Sequence, residues 1–320
     1  MAAPHVAGAW AILKQKKPDA TVGQILNALQ TTGLKITDMR AGANNRVNCR
    51  IQIDQALNNI LADKFVTLPI PESVAYGINN CGQIVGTEYV GDNSGFITDT
   101  KNNYTSVVYN GPIEPGGFYD STEATTINNK GEVHGYYCCG LFGNQGFKRT
   151  STGTITEVNT PDTNDIYGDN DVGNLVGTYW VGPPGHVENF IYFAGNTTAL
   201  TEIAPTDINN RWSYIGVGGS SGLSGTVLDL TGTWPQAFFD PSGSEWTVPF
   251  GINESRHIVG CYRVGSTWRS FLRYPNDSIV DISFPGATSS CAYGINDSNQ
   301  IVGSYEDAGG NIYSYIDLSR

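Results

Sequence analysis

Charge is what this sequence has least of. Asp, Glu, Lys and Arg make up 15% of its 320 residues, against about a quarter in ordinary soluble domains. The basic residues are the scarcer, 18 against 30 acidic, for a net charge of −12. A surface of that sign repels phosphate and excludes nucleic acid as a partner. Long apolar runs are missing too. The most hydrophobic stretch, Ala2 to Leu13, is too short to span a bilayer, so no membrane span is expected. No charged segment precedes it and no small-residue cleavage site follows, so it is not a secretory signal either. The four histidines are scattered, and the six cysteines (Cys49, Cys81, Cys138, Cys139, Cys261, Cys291) show no metal-ligand spacing. No metal and no cofactor are expected. Disulfides suit an exported chain, but the spacing leaves their pairing open.

What the chain does have is glycine (39) and tyrosine (17), with much Asn and Thr. That mixture points to many short strands and turns. Helical signals are confined to the start. Thr21 and Gln24 form a capping box ahead of "ILNALQTTG", and Gly33 is a natural stop. "IDQALNNILADK" (53 to 64) predicts a third short helix with Ala56, Leu57, Ile60 and Leu61 on one side.

After Lys64 the chain repeats itself. "YGINNCGQIVGTEY" (76 to 89), "TTINNKGEVHGYY" (125 to 137), "YGDNDVGNLVGTY" (167 to 179), "TDINNRWSYIGVG" (206 to 218), "FGINESRHIVGCY" (250 to 262) and "YGINDSNQIVGSY" (293 to 305) align. Their shared asparagines, Asn79, Asn128, Asn170, Asn209, Asn253 and Asn296, are spaced by 49, 42, 39, 44 and 43 residues. Such periods are typical of propeller blades. In each copy the Asn closes a turn. A glycine follows inside the next strand (Gly86, Gly135, Gly177, Gly260, Gly303), which argues that another backbone comes close, as where blades crowd an axis. A third strand carries an aromatic: Phe96, Phe147, Phe190, Phe238, Phe271 and Tyr315, which lie 17, 19, 20, 29, 18 and 19 residues after their asparagines. By this count only the fourth copy is expanded. Segments such as "TITEVNTP" (154 to 161) and "SIVDISFP" (278 to 285) supply fourth strands. The expected fold is therefore mainly β, a six-bladed β-propeller of four-stranded repeats of about 43 residues. The last copy runs out after its third strand, and "KFVTLPIP" (64 to 71) has no blade of its own. Residues 65 to 69 are expected to complete blade six beside Tyr313 to Ile316.

Two resemblances add to this reading. Met1, Ala2, Ala3, Pro4, His5, Val6, Ala7 and Gly8 spell the segment that follows the nucleophile in subtilisin-like serine peptidases (subtilases). The likeness continues through "AWAILKQKKPDAT" and "NRVNCRIQIDQAL" (45 to 57) and covers roughly residues 1 to 64. It implies a C-terminal remnant of an α/β peptidase domain. The nucleophilic serine would stand immediately before Met1, and the catalytic Asp and His well upstream. No catalytic residue is therefore present, His5 takes a packing role, and the chain alone is expected to be inactive. Without the rest of that domain, Val6, Trp10, Ile12 and Leu13 are expected to lose their burial partners and residues 1 to 64 to be poorly anchored. Residues 65 to 320 resemble the extracellular HAF-type repeats of bacteria, whose hallmark is "GINNxGQIVG"; the usual His before the small residue is missing. That resemblance implies a secreted, extracellular protein.

Three functional readings follow. The first is the C-terminal part of a secreted subtilisin-like endopeptidase whose parent acts on protein substrates. The second is a propeller that binds a glycan, cell-surface or protein partner. The third is a hydrolase with paired carboxylates at the axis, weakened because the acids do not recur at a fixed blade position. "GDNDVGN" (168 to 174) superficially resembles a calcium loop but coincides with an inter-strand turn. Trp180, Trp212, Trp234 and Trp268 are candidates for stacking on sugars, although packing is the commoner fate of tryptophan. The stretch 218 to 234, which makes the fourth copy long, is the first place to expect a ligand.

Overall fold

The computed structural model describes residues 3–17, 20–37, 47–53, 56, 65–91, 93–101, 103–109, 121–138, 144–158, 164–182, 185–193, 195–219, 223–230 and 236–318. The predicted helix over 53–64 falls almost wholly outside them. From Phe65 onward the chain is built of strands, in six sheets of four antiparallel strands each. It is a six-bladed β-propeller. In blade 1 the innermost strand Ser73–Ile78 pairs with Gln83–Glu88, which pairs with Ser94–Asp99, and that with Thr105–Val107. The innermost strands of blades 2 to 6 are Thr122–Ile127, Asn164–Asp169, Ile203–Ile208, Trp246–Ile252 and Ser289–Ile295. Blade 6 takes its outermost strand from far upstream. Phe65–Pro71 lies beside Ile312–Asp317, with Thr67 opposite Tyr315 and Phe65 opposite Asp317. Ring closure of this kind removes the free edges that would pair with other chains. Just past the closing strand, the Ser73 and Ser314 hydroxyls hydrogen-bond at 2.8 Å.

Between the blades the core is aromatic. Phe96, Phe147, Phe190, Phe271 and Tyr315 are fully buried. Blade 4 corrects the alignment. Its third strand is Ser224–Asp229, and Thr226, opposite the second-strand residue Gly216, stands where the other blades carry the aromatic. Phe238 belongs to the fourth strand, Ala237–Phe239, and is 53% exposed. Its neighbour Phe239 fills the gap instead, edge-on to Phe271 at 5.9 Å. With Thr226 in that place, 17 residues after Asn209, the fourth copy is not expanded ahead of its third strand.

The second-strand glycines need another correction. A Cβ at Gly86, Gly135, Gly177, Gly216, Gly260 or Gly303 would come within 1.9–2.1 Å of a carbonyl oxygen of the blade's own innermost strand. The crowding of blades around the axis falls elsewhere. A Cβ on Gly294 would meet the Gly77 Cα of the next blade at 3.0 Å.

The repeated asparagines hold this arrangement together. Each Oδ1 accepts from two backbone N–H groups, two and four residues on, which closes the turn between the first two strands. In five blades the Nδ2 donates to the backbone carbonyl of the next blade's asparagine: Asn79 to Asn128, Asn170 to Asn209, Asn209 to Asn253, Asn253 to Asn296, and Asn296 back to Asn79, at 3.0–3.1 Å. Asn128 donates to the Asp169 carboxylate instead, at 2.8 Å. The following residue makes a second ring, this one complete. The N–H groups of Asn80, Asn129, Asp171, Asn210, Glu254 and Asp297 each donate to the side-chain oxygen of the next member, at 2.7–2.9 Å.

The helices come first in the chain. Ala3–Lys16 precedes Val22–Thr31, whose capping box has both hydrogen bonds, Gln24 N–H to Thr21 and Thr21 N–H to Gln24. Leu34–Thr37 pairs with Val47–Arg50. Contrary to the expectation of lost partners, Leu13 is fully buried with Ala9, Ile25, Ala28 and Leu29, and Trp10 packs against them; Val6 and Ile12 remain about 40% exposed. This small core touches the propeller. Lys101 donates to the Thr32 carbonyl and to Gln52, at 3.0 and 2.8 Å, and Ser298 donates to Gln30.

Two outcomes are expected. Asn209→Ala removes three hydrogen bonds, two of them buried, at roughly 0.5–1.5 kcal/mol each, so it should cost about 2–4 kcal/mol in urea unfolding. A chain starting at Ser73 should melt well below one starting at Ala62, because only the first lacks the closing strand; equal melting temperatures would show that closure adds no stability.

Candidate functional site

All six innermost strands carry the same irregularity. Their pairing with the second strand slips at Tyr76, Thr125, Tyr167, Thr206, Phe250 and Tyr293, three residues before each asparagine. A bulge re-aims the side chain of its extra residue. Here the six bulged residues together wall an axial cavity of about 220 Å³, joined among the described residues by Glu123 and Tyr136. On one side Tyr293 stands edge-on to Tyr76 at 5.2 Å and tilted to Phe250 at 4.8 Å. On the other, Tyr136 and Tyr167 meet edge-on at 6.4 Å. Tyr136 donates to Glu123 at 2.8 Å and Tyr167 to Asp165 at 3.3 Å. Glu123 and Asp165 hold the same position in adjacent blades, five residues before the asparagine. The other four blades carry Val74, Ala204, Val248 and Cys291 there, so the acids are a feature of blades 2 and 3 and not of the repeat. Burial, reinforced by Asp165, raises the Glu123 carboxyl above its ordinary range, and burial raises Asp165 likewise.

Phe250 and Tyr293 also border a larger groove between blades 5 and 6, of about 470 Å³. Trp246 and Trp268 flank it with ring centroids 5.7 Å apart, and Tyr305 and Ile312 line it further out. Tyr305 is fixed from behind by stacking on Phe284 at 3.8 Å and by a 3.0 Å hydrogen bond to Thr67 of the closing strand. A disulfide, Cys261–Cys291, ties the two blades at the groove. Cys81 is also disulfide-bonded, and Cys138 is free. Ser289 and Glu306 are the polar groups at the edge, and among the described residues no Lys, Arg or His lines either cavity.

Toward the asparagine rings the axis narrows to a polar cleft of about 90 Å³. Three blades break the repeat there: Thr126 stands in blade 2 where most blades carry glycine, and blades 3 and 4 carry acids. Asp169 replaces an isoleucine and is buried, accepting from Thr126 and Asn128 at 2.8 Å and facing His134 Nδ1 at 3.0 Å. Asp207 replaces a glycine and accepts from the N–H groups of Ile208 and Ile252. Although one edge reaches the cleft, the protein around it desolvates Asp207 and raises its carboxyl well above normal; Asp169 and Glu254 push the same way.

Solved structures share this fold. TolB from Acinetobacter baumannii is 12% identical, with a TM-score of 0.52 over 85% of this chain and 72% of that one. The β-propeller domain of the Trilobed protease from Pyrococcus furiosus is 9% identical, with a TM-score of 0.46 over 77% and 81%. The Aleuria aurantia lectin, solved with Fucα1-6GlcNAc, is 11% identical, with a TM-score of 0.48 over 78% and 92%. At these identities the likeness concerns architecture alone. No family model matches the chain, and no curated protein matches it.

The residues singled out from sequence end in different places. Of the Met1 to Gly8 segment, Ala3 onward lies in the first helix, and Met1 and Ala2 fall outside the described residues. Trp180 is half exposed, and Trp212 packs edge-on to Phe193 at 4.4 Å. Trp234 lies outside the described residues. Of the three described, Trp268 borders the groove, beside Trp246, which the sequence reading passed over. The 218–234 stretch lines neither cavity with its described residues. "GDNDVGN" is a turn whose Asp169 and Asp171 are spent on hydrogen bonds to neighbouring blades.

The raised carboxyl of Asp207 has a sign that can be tested. Its contribution to stability is full below the pKa of an unfolded aspartate and is lost as pH rises through the higher folded value. Relative to the parent, Asp207→Asn should therefore gain stability between pH 5 and pH 8, read from urea midpoints. Parallel curves would show that Asp207 does not titrate in this window.

Proposed function

We propose that this chain is an extracellular binding module, whose blade 5–blade 6 groove holds a carbohydrate chain. The observation that carries this reading is the Trp246–Trp268 pair flanking a groove with a polar edge. Sugar rings present apolar C–H faces rimmed by hydroxyls. Flat aromatic walls fit the faces, and Ser289 and Glu306 suit the hydroxyls. Among the described lining residues none is basic; the Arg263 guanidinium lies over Trp246, 5.9 Å from its ring centroid, outside the lining. An oxidising compartment is supported by the disulfides, and the resemblance to HAF-type repeats points the same way.

The first 64 residues are, in this reading, the closing part of a subtilisin-like peptidase domain. The Met1 to Gly8 motif, the buried face of the first helix and the capped second helix support it. They carry no member of the catalytic triad, and losing triad residues costs many orders of magnitude in rate. The purified chain should neither react with a fluorophosphonate probe nor turn over a peptide substrate.

The binding reading is tested by titrating soluble glycans against tryptophan fluorescence. Saturable quenching is expected, weakened roughly tenfold by Trp268→Ala and by Trp246→Ala, the worth of a lost stacking contact. Glycan binding that survives both substitutions unchanged would move the site elsewhere.

A further inference from the structure

The axial cavity is chemically unlike the groove beside it. Five of the eight residues that line it are aromatic: Tyr76, Tyr136, Tyr167, Phe250 and Tyr293. Its hydroxyls are already engaged. Tyr76 pairs with Tyr89 at 2.6 Å, Tyr136 with Glu123, Tyr167 with Asp165 and Thr178, and Tyr293 with Ser304. Thr125 and Thr206 donate across to the carbonyls of Ile166 and Pro249 in the next blades, at 2.6 and 2.7 Å. What the cavity offers a guest is therefore ring faces and one carboxylate, Glu123, with a second acid, Asp165, behind it.

Glu123 is partly buried, and a carboxylate drawn out of water is seldom left without a positive partner. The partner that Glu123 does have is a neutral phenol, and among the described residues the lining contains no basic one. An anion would find no basic side chain among the described lining residues to balance it. A neutral sugar would find its hydroxyls facing ring carbons. A cation would find aromatic faces, whose quadrupoles attract positive charge, and a carboxylate to balance it.

We propose that the axial cavity is a binding site for an organic ammonium group, with Tyr76, Phe250 and Tyr293 supplying the aromatic faces and Glu123 the negative charge. The site goes beyond the carbohydrate reading and is separable from it. It shares Phe250 and Tyr293 with the groove but uses neither tryptophan. The high-lying Glu123 carboxyl agrees with a missing countercharge, which a bound cation would supply.

Calorimetric titration of the full chain near neutral pH tests this with three probes: tetramethylammonium, choline, and 3,3-dimethylbutan-1-ol, the uncharged isostere of choline. Both cations should bind saturably, and the alcohol at least roughly tenfold more weakly. Glu123→Gln and Phe250→Leu should each weaken choline by a similar factor, while Trp268→Ala leaves it unchanged. The comparison of choline with its isostere needs no variant, so a substitution that fails to fold leaves the test intact. Equal binding of choline and the alcohol, an unchanged affinity in a folded Glu123→Gln protein, or no saturable binding of either cation would each overturn the proposal.

Discussion

The hydrogen bond from an asparagine side chain to the next blade's backbone is the contact on which the rest depends. One amide does two jobs. Its oxygen closes the turn between the first two strands of its own blade, and its nitrogen fixes the distance to the neighbour. Buried amides are costly unless fully bonded, so this pairing permits little other arrangement. Repeated around the axis and backed by the complete ring of the following residues, it sets the blade angle at one mouth of the propeller. The single departure, Asn128 turning to Asp169, occurs where an aspartate has replaced the repeat's isoleucine and offers a charged acceptor.

With the axis fixed, the bulge becomes useful. A carbonyl of each innermost strand occupies the space where a second-strand Cβ would lie, which is why all six blades have glycine there. The bulged residue is freed from the ladder and contributes to the axial cavity. Because the bulge recurs, six side chains converge, and their identity becomes a matter of ligand chemistry rather than of folding. Tyr, Thr, Tyr, Thr, Phe and Tyr occupy them in order. The closing strand reaches the same region from outside, since Thr67 holds Tyr305 at the groove.

Much of the fold was legible because the repeat exposes its constraints. The asparagines and glycines stand at a fixed offset, five buried aromatics follow 17 to 20 residues after their asparagines, and the vacancy in the last copy matched the orphan strand 65–69. Blade 4 was misread for a physical reason. Thr226 took the aromatic's place, and Phe239 repaired the packing from the next strand, so a search for an aromatic landed on exposed Phe238. The site was harder to see. Its residues lie in the quoted repeats, three before each asparagine, but their variation looks like ordinary strand noise until the bulge shows that they share a cavity. Glu123 and Asp165 align only when the register is counted back from the asparagines. The partnering of Leu13 with Ile25 and Leu29 depended on the second helix folding back, which no local pattern announced.

A crystal structure of the chain grown with tetramethylammonium tests the central claim most directly, that the six bulges build a ligand site on a ring held by asparagines. The account predicts the cation enclosed by the rings of Tyr76, Phe250 and Tyr293 on the side of Glu123, with the asparagine ring unchanged. An empty axial cavity at saturating concentration, or the cation bound elsewhere, would contradict it.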